Sequence, residues 1–257
     1  MRYIPRSGPD EINRPTHSLL FEFIKLLFLL VLTIALIYSA MGYAVDIMAA
    51  KMSPDTEVRL GKFFNSWYDK DNILVDSPES EVLISVLNDL LRIIPEPRLD
   101  YSILFADNNS VNAIALPGGR IIFYKGLYDL LKDDRESLGF VIAHEIGHFE
   151  NRDHLRGLGR GALVLALMLP FYGGSPASAG PASIIIDQLQ LKYSRDQERR
   201  ADKFAAGMIE EAFGGSGGAL RALKILGEER KDPAVFSYLT THPPAEERMT
   251  NIKNNIF

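Results

Sequence analysis

The chain has 257 residues, a length that suits one catalytic domain with a real hydrophobic core and a small appendage. Its formal net charge is −5 and it has no dense block of Lys and Arg, so a nucleic-acid partner is not expected. The absence of cysteine excludes disulfides, thiolate metal ligands and lipid attachment through a cysteine, so His and carboxylate side chains must hold any metal.

Residues Leu26 to Val45 form an uncharged, apolar run that is long enough to span a bilayer as one helix. The N-terminal segment before this run is longer and more mixed in charge than the segment that begins a secretory signal. This favours an uncleaved membrane anchor over a signal cleaved at Gly42-Tyr43-Ala44. Lys and Arg residues balance on the two sides of the run, so they do not assign its orientation. The expected organisation is a tail (1–25), a membrane anchor or signal sequence (26–45), a helical linker (46–76) and one domain (77–257).

The linker is followed by predicted helices and a small sheet. Ser77-Pro78 is typical of a helix start, and an apolar stripe continues from there to Ile94. Three short runs rich in β-formers predict a sheet with a hairpin at Pro117-Gly118-Gly119: 101–105, 111–116 and 120–124. Capping patterns and periodicity predict four further helices: Asp133 to about Glu150, Asp187 to Phe213, Ala219 to Leu226 and Pro244 to Ile256.

A second uncharged stretch runs from Gly161 to Ile186. Its apolar part, Ala162 to Tyr172, is too short to span a membrane and is followed by several Gly and Pro residues. This composition favours a short buried helix and then a flexible loop. The alternatives are a segment that dips into the membrane or a lid, with Gly173 to Ala182 as a hypothetical gate over the active site.

The run His144-Glu145-Ile146-Gly147-His148 is an HExxH motif in an apolar, helical stretch. Residues four apart lie on one face of a helix, so His144 and His148 can offer two imidazole nitrogens to the same ion. Glu145 lies beside them, where it can take a proton from a water polarised by the ion and pass it to a leaving amine. The motif therefore predicts zinc-dependent hydrolysis of peptide bonds.

A catalytic zinc usually has three protein ligands, so a third must come from elsewhere. Glu198 lies on the apolar stripe of the helix predicted from Asp187, and a buried carboxylate needs a partner. Zinc is the favoured partner, and an ion pair with a neighbouring Arg is the alternative. Asp202 shares this face and can hold the second nitrogen of a ligand histidine.

These motifs resemble a known family of proteases. HExxH followed by Glu198-Arg199-Arg200-Ala201-Asp202 is similar to the gluzincin metallopeptidases, and to the family that contains the CAAX prenyl proteases, HtpX and the mitochondrial OMA proteases. Asn112 to Gly119 with Gly126-Leu127 resembles the edge strand and hairpin of that family, and Thr241-His242-Pro243 resembles its C-terminal His-Pro motif. The resemblance covers about residues 80 to 250.

The resemblance implies a mostly helical α+β fold: a zincin-like domain with a small sheet beside the HExxH helix, preceded here by one transmembrane helix. It implies one Zn²⁺ per chain, held by His144, His148 and Glu198. It also implies that Asn112 and its strand, with Ala113 and Ile114, hold an extended polypeptide substrate, and that His242 donates a hydrogen bond to the oxyanion. The plainer alternatives are a strand-end role for Asn112 and a helix-capping role for His242.

The prenyl proteases have several spanning helices, whereas this chain has one clear span, so processing of prenylated proteins is not expected. The chain is closer to small, singly anchored bacterial members, which suggests envelope protein quality control with an extracytoplasmic domain on the bacterial inner membrane. The rival hypothesis is a chaperone-like factor that binds unfolded envelope proteins without cutting them. His154 and His17 are expected to be bystanders, and the oligomeric state is not predicted.

Overall fold

The computed structural model describes residues 18–65, 73–74, 76–168, 193–228 and 242–255. The chain divides into two compact units, residues 1–44 and residues 45–257. Helix α1 (Leu19–Lys51) supplies the described part of the first unit, and its last two turns belong to the second. By length and composition it can cross a membrane, and its most apolar window is not buried in protein. It extends beyond the predicted span at both ends.

The second unit continues with helix α2 (Pro54–Asn65), strand β1 (Ile73–Leu74) and helix α3 (Pro78–Leu91). The region predicted as a helical linker therefore also contains a short strand. Ser77 caps α3 as expected, because its hydroxyl oxygen accepts a hydrogen bond from the backbone N–H of Ser80 at 3.2 Å. Most of the predicted apolar stripe is buried, namely Leu83, Val86, Leu87 and Leu90. Leu91 is half-buried, and Ile94 is half-buried and lies beyond the end of the helix.

The sheet contains β2 (Ser102–Ala106), β3 (Ala113–Leu116) and β4 (Arg120–Tyr124) in the order β1-β2-β4-β3. β2 and β4 are parallel, while β1 pairs with β2 and β3 pairs with β4 in antiparallel register. The predicted turn joins β3 to β4 through Gly118 and Gly119, whose φ angles of 87° and 84° favour glycine. β3 is thus an edge strand within the described part of the sheet.

The remaining described elements are helices. They are α4 (Lys125–Leu131), α5 (Arg135–Glu150), α6 (Asp153–Met168), α7 (Arg195–Phe213), α8 (Gly217–Glu228) and α9 (Ala245–Asn254). Helix α4 was not predicted, and α6 and α7 differ from the prediction in where they begin. The predicted buried helix within Ala162–Tyr172 begins earlier, as α6. The helix predicted from Asp187 begins at Arg195, where Ser194 and Gln197 form a capping box. Positions 187–192 and the hypothetical gate, 173–182, lie outside the described residues.

Helix α5 occupies the centre of the domain, and every residue from Ser137 to Phe149 is buried. It packs against α3, α7, α8 and β3. Gly147 allows the closest approach, because a Cβ atom there would lie 3.0 Å from the Cα atom of Ala201 in α7. This contact brings the HExxH motif against the helix that carries Glu198.

The first turn of α5 is capped by Asp134 and not by Asp133, the residue expected from the capping pattern. The Asp134 carboxylate accepts hydrogen bonds from the backbone N–H groups of Glu136 and Ser137, at 3.1 and 3.2 Å. Arg221 of α8 donates to the same carboxylate at 2.5 Å. The hydrogen bond from Arg221 is the main cause that lowers the pKa of Asp134 to about 2.

We expect Asp134→Ala to destabilise the domain at pH 7 by about 1 kcal/mol, because α5 loses its cap. The folded-state pKa of Asp134 lies below the unfolded value, so its ionised form adds stability above pH 4 that is lost as the pH falls toward 2. Urea unfolding at several pH values would measure the difference between the two proteins. A difference that does not shrink between pH 5 and pH 2 would contradict this assignment.

Candidate metal centre

Four buried side chains converge between α5, α7 and the start of α9. They are His144, His148, Glu198 and His242, and one potential ligand atom of each lies within 4.8 Å of all the others. The Nε2 atoms of the two α5 histidines are 3.1 Å apart. Glu198 Oε2 lies 3.5 Å from His144 Nε2, and Glu198 Oε1 lies 3.6 Å from His148 Nε2. This group can hold a metal ion.

The polar atoms of this cluster fit a cation. Glu198 Oε2 is buried and, among the described residues, has no hydrogen-bond partner, which is a costly state for a carboxylate oxygen. Three imidazoles and one carboxylate, with no thiolate, form a ligand set that suits zinc and related divalent ions. The residues present therefore fit a resident metal ion.

The electrostatics of the cluster also favour positive charge. Burial opposes ionisation of Glu198, but His242, His148 and His144 hold its pKa well below the usual range. Burial also opposes protonation of His148, but hydrogen bonds to Asp153 and Glu198 raise its pKa to about 10. Since the cluster stabilises a proton on His148, it provides a negative potential in which a divalent cation can bind.

Glu145 lies on α5 between the two histidines and is 2% exposed. Its Oε1 atom is buried and has no hydrogen-bond partner within the described part of the chain. Burial raises the pKa of this carboxyl group. A carboxylate with a raised pKa and an oxygen free of internal hydrogen bonds has the properties of a general base.

Asp202 of α7 and Arg248 of α9 form a buried pair behind His144. Asp202 Oδ1 lies 3.0 Å from His144 Nδ1, so Asp202 contacts a candidate ligand as the helical spacing predicts. Arg248 donates from Nε to Asp202 Oδ2 at 2.9 Å and from Nη2 to Oδ1 at 2.6 Å. Although burial opposes its ionisation, Asp202 has a pKa of about 2, held low by Arg248 and His144. Burial and Arg248 lower the pKa of His144 to about 4, which keeps this ring neutral.

The sequence reasoning missed three residues of the centre. Arg248 is 2% exposed, although arginine is usually a surface residue. Asp153 accepts from Nδ1 of His148 at 3.1 Å, and its position five residues after His148 was a usable signal. The ring of Tyr193 stacks on His148 with 3.8 Å between centroids. No local pattern marks Arg248 or Tyr193, because each reaches the site from another element.

The predicted substrate-binding strand lies at the sheet edge, with its side chains turned into the protein. Asn112 is 3% exposed, and its side-chain oxygen accepts from the N–H of Ala113 at 3.0 Å. Ala113 and Ile114 are also buried and pair with Phe123 and Ile122 of β4. These exposures refer to whole residues, so the backbone of this strand is covered as well as its side chains.

His154, which was expected to be a bystander, lies apart from the four candidate metal ligands. His154 is buried on α6, where its Nε2 atom lies 2.7 Å from Oε1 of Glu57 in α2. Arg98 donates to the other oxygen of the same carboxylate at 2.6 Å. Because Arg98 also donates to the backbone carbonyl of Phe149, these three side chains hold α2 against the end of α5. His17 lies outside the described residues.

Part of this chain is similar in sequence to known proteins. Residues 79–256 match peptidase family M48. The mitochondrial metalloendopeptidase OMA1 of Arabidopsis thaliana is 30% identical over 151 residues, which are 58% of this chain and 30% of that protein. The putative beta-barrel assembly-enhancing protease of Vibrio cholerae is 28% identical over 158 residues, 56% of this chain and 32% of that protein. The metalloprotease YcaL of Escherichia coli is 28% identical over 160 residues, 58% of this chain and 59% of that protein.

The chain thus spans from 30% to 59% of the length of these relatives. The family match begins within α3 and includes strands β2 to β4, the HExxH helix, Glu198 and His242. It agrees with the mostly helical α+β fold and with the buried group that can hold a metal. The chain therefore belongs to peptidase family M48, and its domain is a metallopeptidase domain.

Proposed function

We propose that this protein is a membrane-anchored, zinc-dependent endopeptidase that hydrolyses peptide bonds within proteins. The observation that carries the proposal is the buried cluster of His144, His148 and Glu198 beside a carboxylate, Glu145, whose pKa is raised. A binding protein has no need of a general base at such a centre. The protease names of the three relatives support the same reaction class.

His144, His148 and Glu198 are the proposed zinc ligands. When bound, the ion would act as a Lewis acid toward water and the substrate carbonyl. Glu145 removes a proton from the attacking water and then delivers it to the nitrogen of the leaving amine. Asp202 keeps the ring of His144 in a fixed orientation through Nδ1. We place an extended substrate along the backbone of β3 at the sheet edge, with Asn112 fixing the start of the strand.

His242 has two possible roles that an experiment can separate. Its Nδ1 atom lies 2.9 Å from Oε1 of Glu198, so the ring is close enough to serve as a metal ligand. The role we propose is hydrogen-bond donation to the oxyanion that develops on the substrate. We expect His242→Ala to lower kcat by about 10²- to 10³-fold while the zinc affinity stays unchanged. A variant with weakened zinc affinity would instead make His242 a ligand.

The N-terminal helix supports a membrane location. α1 has the length and composition of a single span, and its apolar surface is not covered by the protein. We propose that the catalytic domain is extracytoplasmic in a bacterial inner membrane and that it acts in envelope protein quality control. The relative named as a beta-barrel assembly-enhancing protease supports this setting. Reporter enzymes fused to the C-terminus would assign the orientation, and activity of a cytoplasmic reporter would contradict it.

The proposed reaction can be tested with the full chain in detergent. We expect the purified protein to contain about one zinc ion and to cut unfolded casein, with activity lost on chelation and restored by zinc. A chain that binds casein and leaves it intact with zinc present would support the rival chaperone-like role. Full activity after complete metal removal would contradict the metal assignment.

A further inference from the structure

A short turn follows the HExxH helix α5, and the first residue after this turn, at the start of α6, carries a fully buried carboxylate. Asp153 is 0% exposed, and its Oδ2 atom lies 3.1 Å from Nδ1 of His148. The Nε2 atom of the same ring faces the candidate metal position. A carboxylate on the distal nitrogen of a metal-ligating histidine fixes the tautomer and orientation of the ring.

The second oxygen of Asp153 is held by one group from its own helix, α6, and by two from α7. Oδ1 accepts hydrogen bonds from Nη1 of Arg156 at 3.0 Å and from Nε2 of Gln197 at 2.9 Å. Nη2 of Arg200 lies 3.6 Å from the same atom. These donors compensate for the burial of the carboxylate and prevent it from rotating away from His148.

Arg152 joins the same turn to the end of α1. Its φ angle of 59° places a non-glycine residue in the left-handed region, a strained conformation that surrounding contacts must maintain. Its Nη1 atom lies 2.6 to 2.9 Å from three carbonyl oxygens, those of Ala49, Ala50 and Met52. The last carbonyls of a helix lack intrahelical partners and attract cations, so Arg152 satisfies the carboxyl end of α1.

We propose that Asp153 is a positioning residue for the metal ligand His148, and that Arg152 fixes the turn immediately before Asp153 by binding the end of α1. The inference rests on the proposed role of His148 as a ligand. Arg152 and Asp153 are consecutive residues, so a displacement of the α1 end moves the carboxylate that orients the ring. The position of the carboxyl end of α1, next to the candidate membrane span, is in this way coupled to the geometry of the metal centre.

The first test is Asp153→Asn in the full chain, since Asn keeps the size of the side chain and removes its charge. We expect zinc affinity, measured by competition with a chromogenic chelator, to fall by about 10- to 100-fold. We also expect kcat to fall with KM unchanged, and the visible spectrum of the Co²⁺ form to change. Asp202→Asn, which alters the equivalent contact on His144, should behave similarly.

The matched control is Asp89→Asn. Asp89 pairs with Arg135 at the opposite end of α5 and touches neither histidine, so this variant should bind zinc normally. If Asp153→Asn lowers the melting temperature of the metal-free chain but binds zinc as tightly as the wild type, Asp153 has only a structural role and the inference is wrong.

The second test is Arg152→Gly, which removes the guanidinium and relieves the positive φ angle, so the turn can still form. We expect zinc release into excess chelator to become several-fold faster, and Arg160→Ala to leave it unchanged. Arg160 pairs with Asp46 of α1 but does not contact the turn. Unchanged release of zinc from Arg152→Gly would overturn the coupling to α1.

A wild-type chain that binds zinc but leaves casein intact would contradict the proposed function. The comparisons of zinc binding among these variants would still hold.

Discussion

Replacement of Glu145 by Gln is expected to lower kcat for casein cleavage by about 10²- to 10⁴-fold while zinc binding is retained, because the amide cannot accept the proton of the attacking water. The variant should also be at least as stable as the wild type. Burial raises the pKa of Glu145, which shows that the fold disfavours its charge, and Gln removes that charge. Quantitative cleavage assays, zinc analysis and thermal unfolding of the metal-free chain would measure the three effects.

The control for this prediction is Glu136→Gln, in the first turn of the same helix. Glu136 pairs with Arg221 near the surface and lies about two helical turns before His144, so the activity of this variant should be close to that of the wild type. A Glu145→Gln protein that keeps more than a tenth of the wild-type kcat would contradict the general-base role. Loss of zinc from this variant would indicate that Glu145 contributes to metal binding.

Replacement of Arg248 by Met is expected to give a large loss of stability. The side chain is 2% exposed and makes hydrogen bonds to both oxygens of Asp202, which is itself buried. Removal of one partner of a buried ion pair leaves an uncompensated charge and costs about 3–5 kcal/mol. For a domain of this size the melting temperature should fall by roughly 10 °C. Thermal unfolding of the metal-free chain would measure the change.

Two further variants make the Arg248 prediction specific. Arg195→Met removes an exposed ion pair with Glu247 between the same two helices, α7 and α9, and should cost less than about 1 kcal/mol. The double variant Arg248→Met/Asp202→Asn should recover part of the lost stability, because it removes the buried carboxylate charge that Arg248→Met leaves unpaired. Equal losses in Arg248→Met and Arg195→Met would contradict a buried-pair role for Arg248.

The sequence identified much of the fold where a local signal was strong. Strand β4 has its predicted bounds, and α5 and α8 lie within two residues of theirs. The predicted start of α7 was wrong: the helix was expected from Asp187, whereas the capping box at Ser194 begins it at Arg195. Helix α4 was missed: it has seven residues and no side-chain cap, so no pattern distinguished it from a loop.

The sequence by itself determined the chemistry of this protein, because HExxH and the stripe of Glu198 and Asp202 are local patterns whose helical period places their side chains on common faces. Only the tertiary structure decided which groups surround the candidate ligands. Arg248 reaches His144 and Asp202 because α9 packs against α7. Arg152 reaches the end of α1 across about a hundred residues of sequence. Such contacts depend on how separate helices pack, and no period in the sequence encodes them.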